Sequence, residues 1–443
     1  MTEVRERLRQ LPQTGQDTLM RARIALGYLV LVAMLGLFLR WLMVSPIDGV
    51  NYKNFLHAHS HVALLGWLYC AFFAALLYIF PAVTAEARTS FRRQFFLTQV
   101  SVLGMLFTFP VQGYALFSII FSTMHILLSY WFARSYWKHV QGNVDTGTHA
   151  TSLKYIGAAL LFMVVSSIGP WAMGPIMAKG TIGGELYYSA IYFYLHFQYN
   201  GWFTFAVLGL LFWFLEHHQV YFNRSWAMRA FWLLALACLP AYALSVLWTQ
   251  PADWVYAIGY VAVAMQLAGL LYLIKVVQQV WGKVVGLLKP WVCGLVGIAL
   301  VFFVLKLVLQ TVSAFPYMAD LAYKLRYFII GYLHLSLLGF VSLFVLGFLL
   351  QQGLCRLGRY GGVGLTLFLA GFFATELLMF GQGTFLWLGL MALPSFSWLM
   401  FWASVPMPLG LGVFFLGQRG LKVSGVGRLS ESGFTGFKDS QDL

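Results

Sequence analysis

The feature that most constrains this chain is a succession of apolar runs, each about twenty residues long, set between short segments that carry most of the charge. A run of that length spans the hydrocarbon core of a bilayer as a helix rising about 1.5 Å per residue. Spans are expected near 24–44, 55–80, 95–110, 115–137, 153–176, 186–215, 226–247, 254–277, 290–312, 326–350, 362–380 and 384–417. The chain is 60% hydrophobic and 9% charged. A water-soluble domain of 443 residues could not cover its surface with so little charge. The expected fold class is therefore an all-α polytopic membrane protein of about twelve transmembrane helices. Residues 1–22 read as an N-terminal tail and 23–419 as the membrane domain. The Gly/Ser-rich stretch 420–443 reads as a disordered C-terminal tail.

Charge placement tests that span count independently. With the N-terminus inside, 22 of the 28 Lys and Arg residues fall on inner segments and 4 on outer ones, namely Lys53, Lys179, Lys324 and Arg326. Arg40 and Lys306 fall within the bilayer. A miscounted helix would scramble that asymmetry, so both termini are expected in the cytoplasm of a bacterial inner membrane. The net charge of +14 is thus a topology signal that faces lipid headgroups, and nucleic acid is not an expected partner. Cys70, Cys238, Cys293 and Cys355 lack any CxxC spacing, which argues against disulfides and zinc. The first residues are polar, so no cleavable signal peptide is expected.

Within the apolar runs a histidine recurs. His61, His196 and His334 are each followed five residues later by glycine (Gly66, Gly201, Gly339) and then by Trp67, Trp202 or Phe340. The spacing is 135 residues from His61 to His196 and 138 from His196 to His334. Tyr194-Leu195-His196 matches Tyr332-Leu333-His334. This is a threefold repeat of about four helices per unit, with one histidine on each of the second, sixth and tenth spans. Each histidine lies roughly 9–15 Å below the outer face. Ionisable groups at such depth are costly and mark function by default, although a lone imidazole also serves as a helix–helix hydrogen-bonding group. Three in one frame point to metal or haem ligation. The repeated glycine, about 140° round from its histidine, reads as a packing notch.

Twelve spans with histidines on the second, sixth and tenth resemble subunit I of the haem–copper oxidase superfamily, the oxygen and nitric oxide reductases. His334-Leu-Ser-Leu-Leu-Gly-Phe-Val is similar to the part of the family motif that begins at the low-spin haem ligand. The resemblance implies a bis-histidine haem, b-type, held by His334 and, on the second span, His61. His196 matches the family's first copper ligand. It also implies a cytochrome or quinol electron donor and reduction of a small gas, O2 or NO.

The departures concern the reactive site. Where the family places the ligand of its oxygen-reactive haem, this chain has Tyr332, whose phenolate could bind iron in a second site with His196 and His59. The seventh span has no histidine for a copper pair. His217 and His218 lie near the cytoplasmic end and read as a solvated loop. If there is a reaction, its expected residues are His196 and Tyr199, with Asn200 beside them. Copper is left open on this reading, and so is catalysis. His59 points away from His61 and has two open roles, in a second site with His196 or in contact with water. Arg326, with Arg40 and Lys324, could meet haem propionates or lipid headgroups. Lys306 and Glu376 could pair, as a proton path or as a structural ion pair. A gas sensor, an assembly factor and a proton-coupled transporter are the alternatives to an electron-transfer protein.

Overall fold

The computed structural model describes residues 2–145 and 147–418, with side chains from residue 15 onward. Among these residues the chain is helical throughout, with no strand. Ten helices are long and apolar enough to cross a membrane. They are α1 (Thr2–Val44, of which Gly15–Val44 is the apolar part), α2 (Tyr52–Ile79), α3 (Ala85–Gln112), α4 (Leu116–Asn143) and α5 (Ala150–Ala178), then α8 (Asp253–Leu287), α9 (Pro290–Val312), α10 (Arg326–Gln351), α11 (Gly358–Trp387) and α12 (Phe396–Leu416). Two further helices, α6 (185–217) and α7 (Arg224–Cys238), and a nine-residue helix, Pro316–Lys324, between α9 and α10 complete the order. Gln198, Asn200 and Glu216 dilute the apolar character of α6. Pro240 ends α7 after 15 residues, and the chain continues as 3-10 turns. A proline lacks the N–H and clashes with the preceding turn, so the full helix expected over 226–247 does not form.

Other boundaries also shift. The segment 2–22, expected as a tail, continues α1 without a break. α3 is 28 residues long rather than short, because Thr84 caps its start by accepting from the Ala87 N–H, and Pro110 falls in its last turn. The span expected over 384–417 is divided. Residues 384–387 finish α11, and α12 begins at Phe396, after Pro394. The expected tail 420–443 lies outside the described residues.

The repeat helices form the centre. The most apolar windows of α2 and α10 are 89% and 78% buried, against 33–44% for the other eight spans. α6 is buried at every residue from His196 to Glu216 except Tyr199. The three touch one another. Trp67 Nε1 donates to Ser342 Oγ at 2.8 Å, and Phe72 stacks on Phe203 at 5.8 Å between ring centres.

Directly after each repeat histidine the helix widens into a π segment: Val62–Leu68, Phe197–Phe203 and Leu335–Ser342. A π turn carries an extra residue and leaves carbonyls without their usual partners. Side chains below answer two of them, as Thr204 donates to Tyr199 O at 2.6 Å and Ser342 to Leu337 O at 2.7 Å. The repeated glycines sit inside these wide turns, where neighbours approach closely. A Cβ would fall 2.5 Å from Phe162 at Gly201, 2.9 Å from Phe302 and Phe372 at Gly339, and 3.0 Å from Tyr28 at Gly66. They are packing notches.

Candidate functional site

Two residues apart on a helix means about 200° of rotation. The repeat histidine and the residue two before it therefore face opposite flanks of each central helix. Three compartments result, two of them shared between central helices and one on the flank of α2 that faces α3.

In the compartment between α10 and α2, the side chain that α2 turns toward His334 is His59. His59 and Arg40 lie within electrostatic range of His334. His59 Nδ1 meets Val32 O of α1 at 3.1 Å, and a Cβ at Gly36 would stand 3.2 Å from its ring. His334 Nδ1 faces Glu376 Oε1 of α11 at 3.8 Å, with 30% of the His334 side-chain surface still free. Both carboxylate oxygens of Glu376 are buried without a partner, and Arg40 reaches Met379 Sδ at 3.6 Å. Among the described residues no hydrogen bond reaches Nε2 of either histidine. An imidazole whose Nδ1 is turned to an oxygen while Nε2 is open is the usual arrangement of a metal-ligating histidine.

His61 faces the other way. Its ring lies 4.3 Å from Phe109 and 6.0 Å from Tyr114, and its Nδ1 meets His57 O at 2.8 Å. The structure therefore does not bring His61 and His334 together. His57 shares its flank, as the four-residue spacing requires. His125 of α4, which no motif singles out, is buried with its ring 4.7 Å from that of Tyr69 on α2.

The third compartment, between α6 and α10, holds His196, Tyr199, Asn200, Lys306 and Tyr332. Here a chain of hydrogen bonds runs through three of them. Lys306 Nζ donates to Asn200 Oδ1 in a short hydrogen bond, and Asn200 Nδ2 donates to His196 Nδ1 at 3.1 Å. His196 Nε2 then donates to Cys238 O at 2.8 Å. These bonds fix the tautomer and leave His196, 1% exposed, without a free lone pair. Tyr332 donates to Gln310 Oε1 at 3.4 Å, and its ring lies 5.9 Å from that of Tyr199.

The chain matches no protein-family model and no curated protein.

Several expected neighbours are apart. His59 does not join His196. Lys306 and Glu376 are not an ion pair, since one bonds Asn200 in the α6–α10 compartment and the other faces His334. Lys324 pairs with Asp320 one turn away at 2.7 Å, and Arg326 is exposed at the start of α10. His217 is exposed and stacks on Trp213, and His218 is exposed beside it. Between them and the core, Glu216 has a role that no motif announces. Its carboxylate accepts from Thr151 N at 2.9 Å and Ser152 N at 3.2 Å, capping α5 from another helix. Among the described residues, no three His, Cys, Asp or Glu side chains converge as a metal cluster.

Proposed function

We propose that this is a haem-carrying electron-transfer protein of the membrane, built on the plan of haem–copper oxidase subunit I, in which His59 and His334 would hold the haem iron. The observation that carries the reading is a pair of imidazoles within electrostatic range of each other, His59 with Nδ1 on Val32 O and Nε2 free, and His334 with no hydrogen bond on either nitrogen among the described residues and Glu376 3.8 Å from Nδ1. Glu376 supports it, because neither of its buried oxygens accepts a hydrogen bond among the described residues and a buried carboxylate persists only beside something that compensates it. When bound, a haem with two imidazole ligands supplies reversible one-electron transfer. Val32 O orients the His59 ring, Glu376 stands beside His334, and Arg40 adds a positive charge near them. No Cys-x-x-Cys-His occurs in the sequence, which favours a non-covalent, b-type haem. A cytochrome or a quinol is the proposed class of electron donor.

Twelve spans in three four-helix units, with both termini in the cytoplasm of a bacterial inner membrane, complete the proposal. The three π segments, one after each repeat histidine, support the threefold plan. Reduction of O2 or NO is left out, because His196 spends both nitrogens on Asn200 and Cys238. A proton-coupled transporter is the second reading, favoured by the buried Lys306–Asn200–His196 chain.

The test is a reduced-minus-oxidised visible spectrum of purified protein and variants. His334→Ala and His59→Ala should each abolish the sharp low-spin bands, while His61→Ala should keep them. A colourless, iron-free wild type would end the haem reading in favour of the transporter. Loss of the bands in His61→Ala with retention in His59→Ala would reassign the α2 ligand.

A further inference from the structure

A cavity of about 570 Å³ lies outside the three compartments, at the end of the molecule that the proposed topology turns outward. The start of α8, the short helix Pro316–Lys324 and the 3-10 turns after α7 surround it. Asp253, Tyr256 and Tyr260 are spaced by three and four residues, so they share one face of α8, and all three line the cavity. Pro316 and Asp320, one turn apart, line it from the short helix, and Leu247 and Trp248 line it from the turns. Ring contacts hold these walls in place. Trp248 stacks on Tyr323 with ring centres 5.0 Å apart, and meets Tyr188 and Tyr192 edge-on at 6.2 and 6.0 Å. Tyr260 lies 6.2 Å from Phe315, which ties α8 to the start of the short helix. Two carboxylates thus line a chamber of aromatic and apolar side chains. Asp320 pairs with Lys324 at 2.7 Å, but the lysine side chain is 68% exposed, and a pair so open to water is worth little. Asp253 makes no ion pair, and its side chain no hydrogen bond, among the described residues.

We propose that this cavity binds a small organic cation, an ammonium group carried on an apolar body. The sign follows from the lining, whose ionised groups are the two carboxylates. The rings add to it, since the faces of Trp and Tyr attract an ammonium within about 6 Å. A bare metal ion is a poorer match. Calcium takes about six to eight oxygens and magnesium an octahedron of them. Two carboxylates, one already shared with Lys324, leave most of such a shell to apolar walls. The volume lies within the range of roughly 300–1,000 Å³ that holds small-molecule ligands. It is far larger than an ammonium alone, so an apolar body fills the rest against Leu247, Pro316 and the phenol rings. The cavity shares no residue with the proposed haem site or with the Lys306–Asn200–His196 chain, and the proposal rests on neither.

The experiment is calorimetric titration of the purified full-length protein, in a neutral detergent, with benzyltrimethylammonium. Benzylsulfonate, of similar size and opposite charge, is the control. Wild type should bind the cation at one site per chain with a dissociation constant below about 1 mM and leave the anion unbound. Asp253→Asn should weaken binding about tenfold or more, as loss of a charge-assisted contact does. Tyr256→Leu should weaken it about two- to fivefold, the scale of one exposed cation–π contact. Added salt should weaken the wild type more than Asp253→Asn, because it screens the charge that the variant lacks. Asp253 is exposed, so its replacement leaves the packed interior untouched, and each variant's size-exclusion profile and thermal midpoint verify that it is folded. The proposal is overturned if wild type shows no saturable binding of the cation up to about 1 mM, or if benzylsulfonate binds as tightly. It is equally overturned if a chain carrying both Asp253→Asn and Asp320→Asn binds as wild type does, or if equimolar Ca(II) displaces the organic cation, which would make this a metal site.

Discussion

Replacing Asn200 by leucine breaks the polar chain at its centre while nearly conserving volume. The structure then predicts an asymmetric double-mutant cycle with Lys306. Lys306 is 1% exposed and Asn200 Oδ1 is its hydrogen-bond partner, so Asn200→Leu strands an amine inside the membrane domain. His196 is less affected, because Ser245 Oγ already stands 3.5 Å from Nδ1 and can replace the lost donor. An orphaned buried polar group costs about 1–3 kcal/mol, and more if it is charged, so Asn200→Leu should destabilise by about 2–4 kcal/mol. Lys306→Met strands only the amide oxygen but relieves the burial of the amine, for a net cost of about 0–1 kcal/mol. In the double variant both partners are apolar, and it should lie about 1–3 kcal/mol above the Asn200→Leu single in stability. The assay is equilibrium unfolding in mixed micelles by titration with a denaturing detergent. A double variant as unstable as the sum of the singles would refute the relay, whatever the size of either single effect.

Two further perturbations address the capping of α5 and the membrane orientation. Glu216→Ala removes the acceptor for Thr151 N, Ser152 N and Ser152 Oγ and should cost about 1–3 kcal/mol, read as a lowered thermal midpoint. Glu216→Gln keeps one oxygen and should lose less, and equal midpoints for all three proteins would dismiss the cap. For orientation, a reporter fused after Leu443 should be active only if it functions in the cytoplasm, and activity of a periplasm-dependent reporter at that position would invert the topology.

Most of the spans and their repetition are legible along the chain, though 226–247 and 384–417 are not single helices. Apolar runs can only be helices in a membrane, because hydrocarbon offers backbone groups no other partner. The spacing of His61, His196 and His334 was enough to single out three helices as equivalent, and those three form the centre. Their glycines were legible as notches because a residue without a side chain on a buried helix marks a close approach. What the sequence left undecided is which flank of a helix faces which neighbour. His59 and His61 differ by 200° on one helix, and only the placement of α1 and α10 decides that His59 is the one beside His334. Glu376 and Lys306, two charges in apolar runs, look like natural partners until packing assigns them to different compartments. His125 carries no motif, no repeat and no neighbour in sequence that would single it out. Its ring meets Tyr69 only because α4 folds back across α2. Periodicity is a local property and is written along the chain. The pairing of side chains across helices depends on rotation and distance between elements, and those are settled by packing.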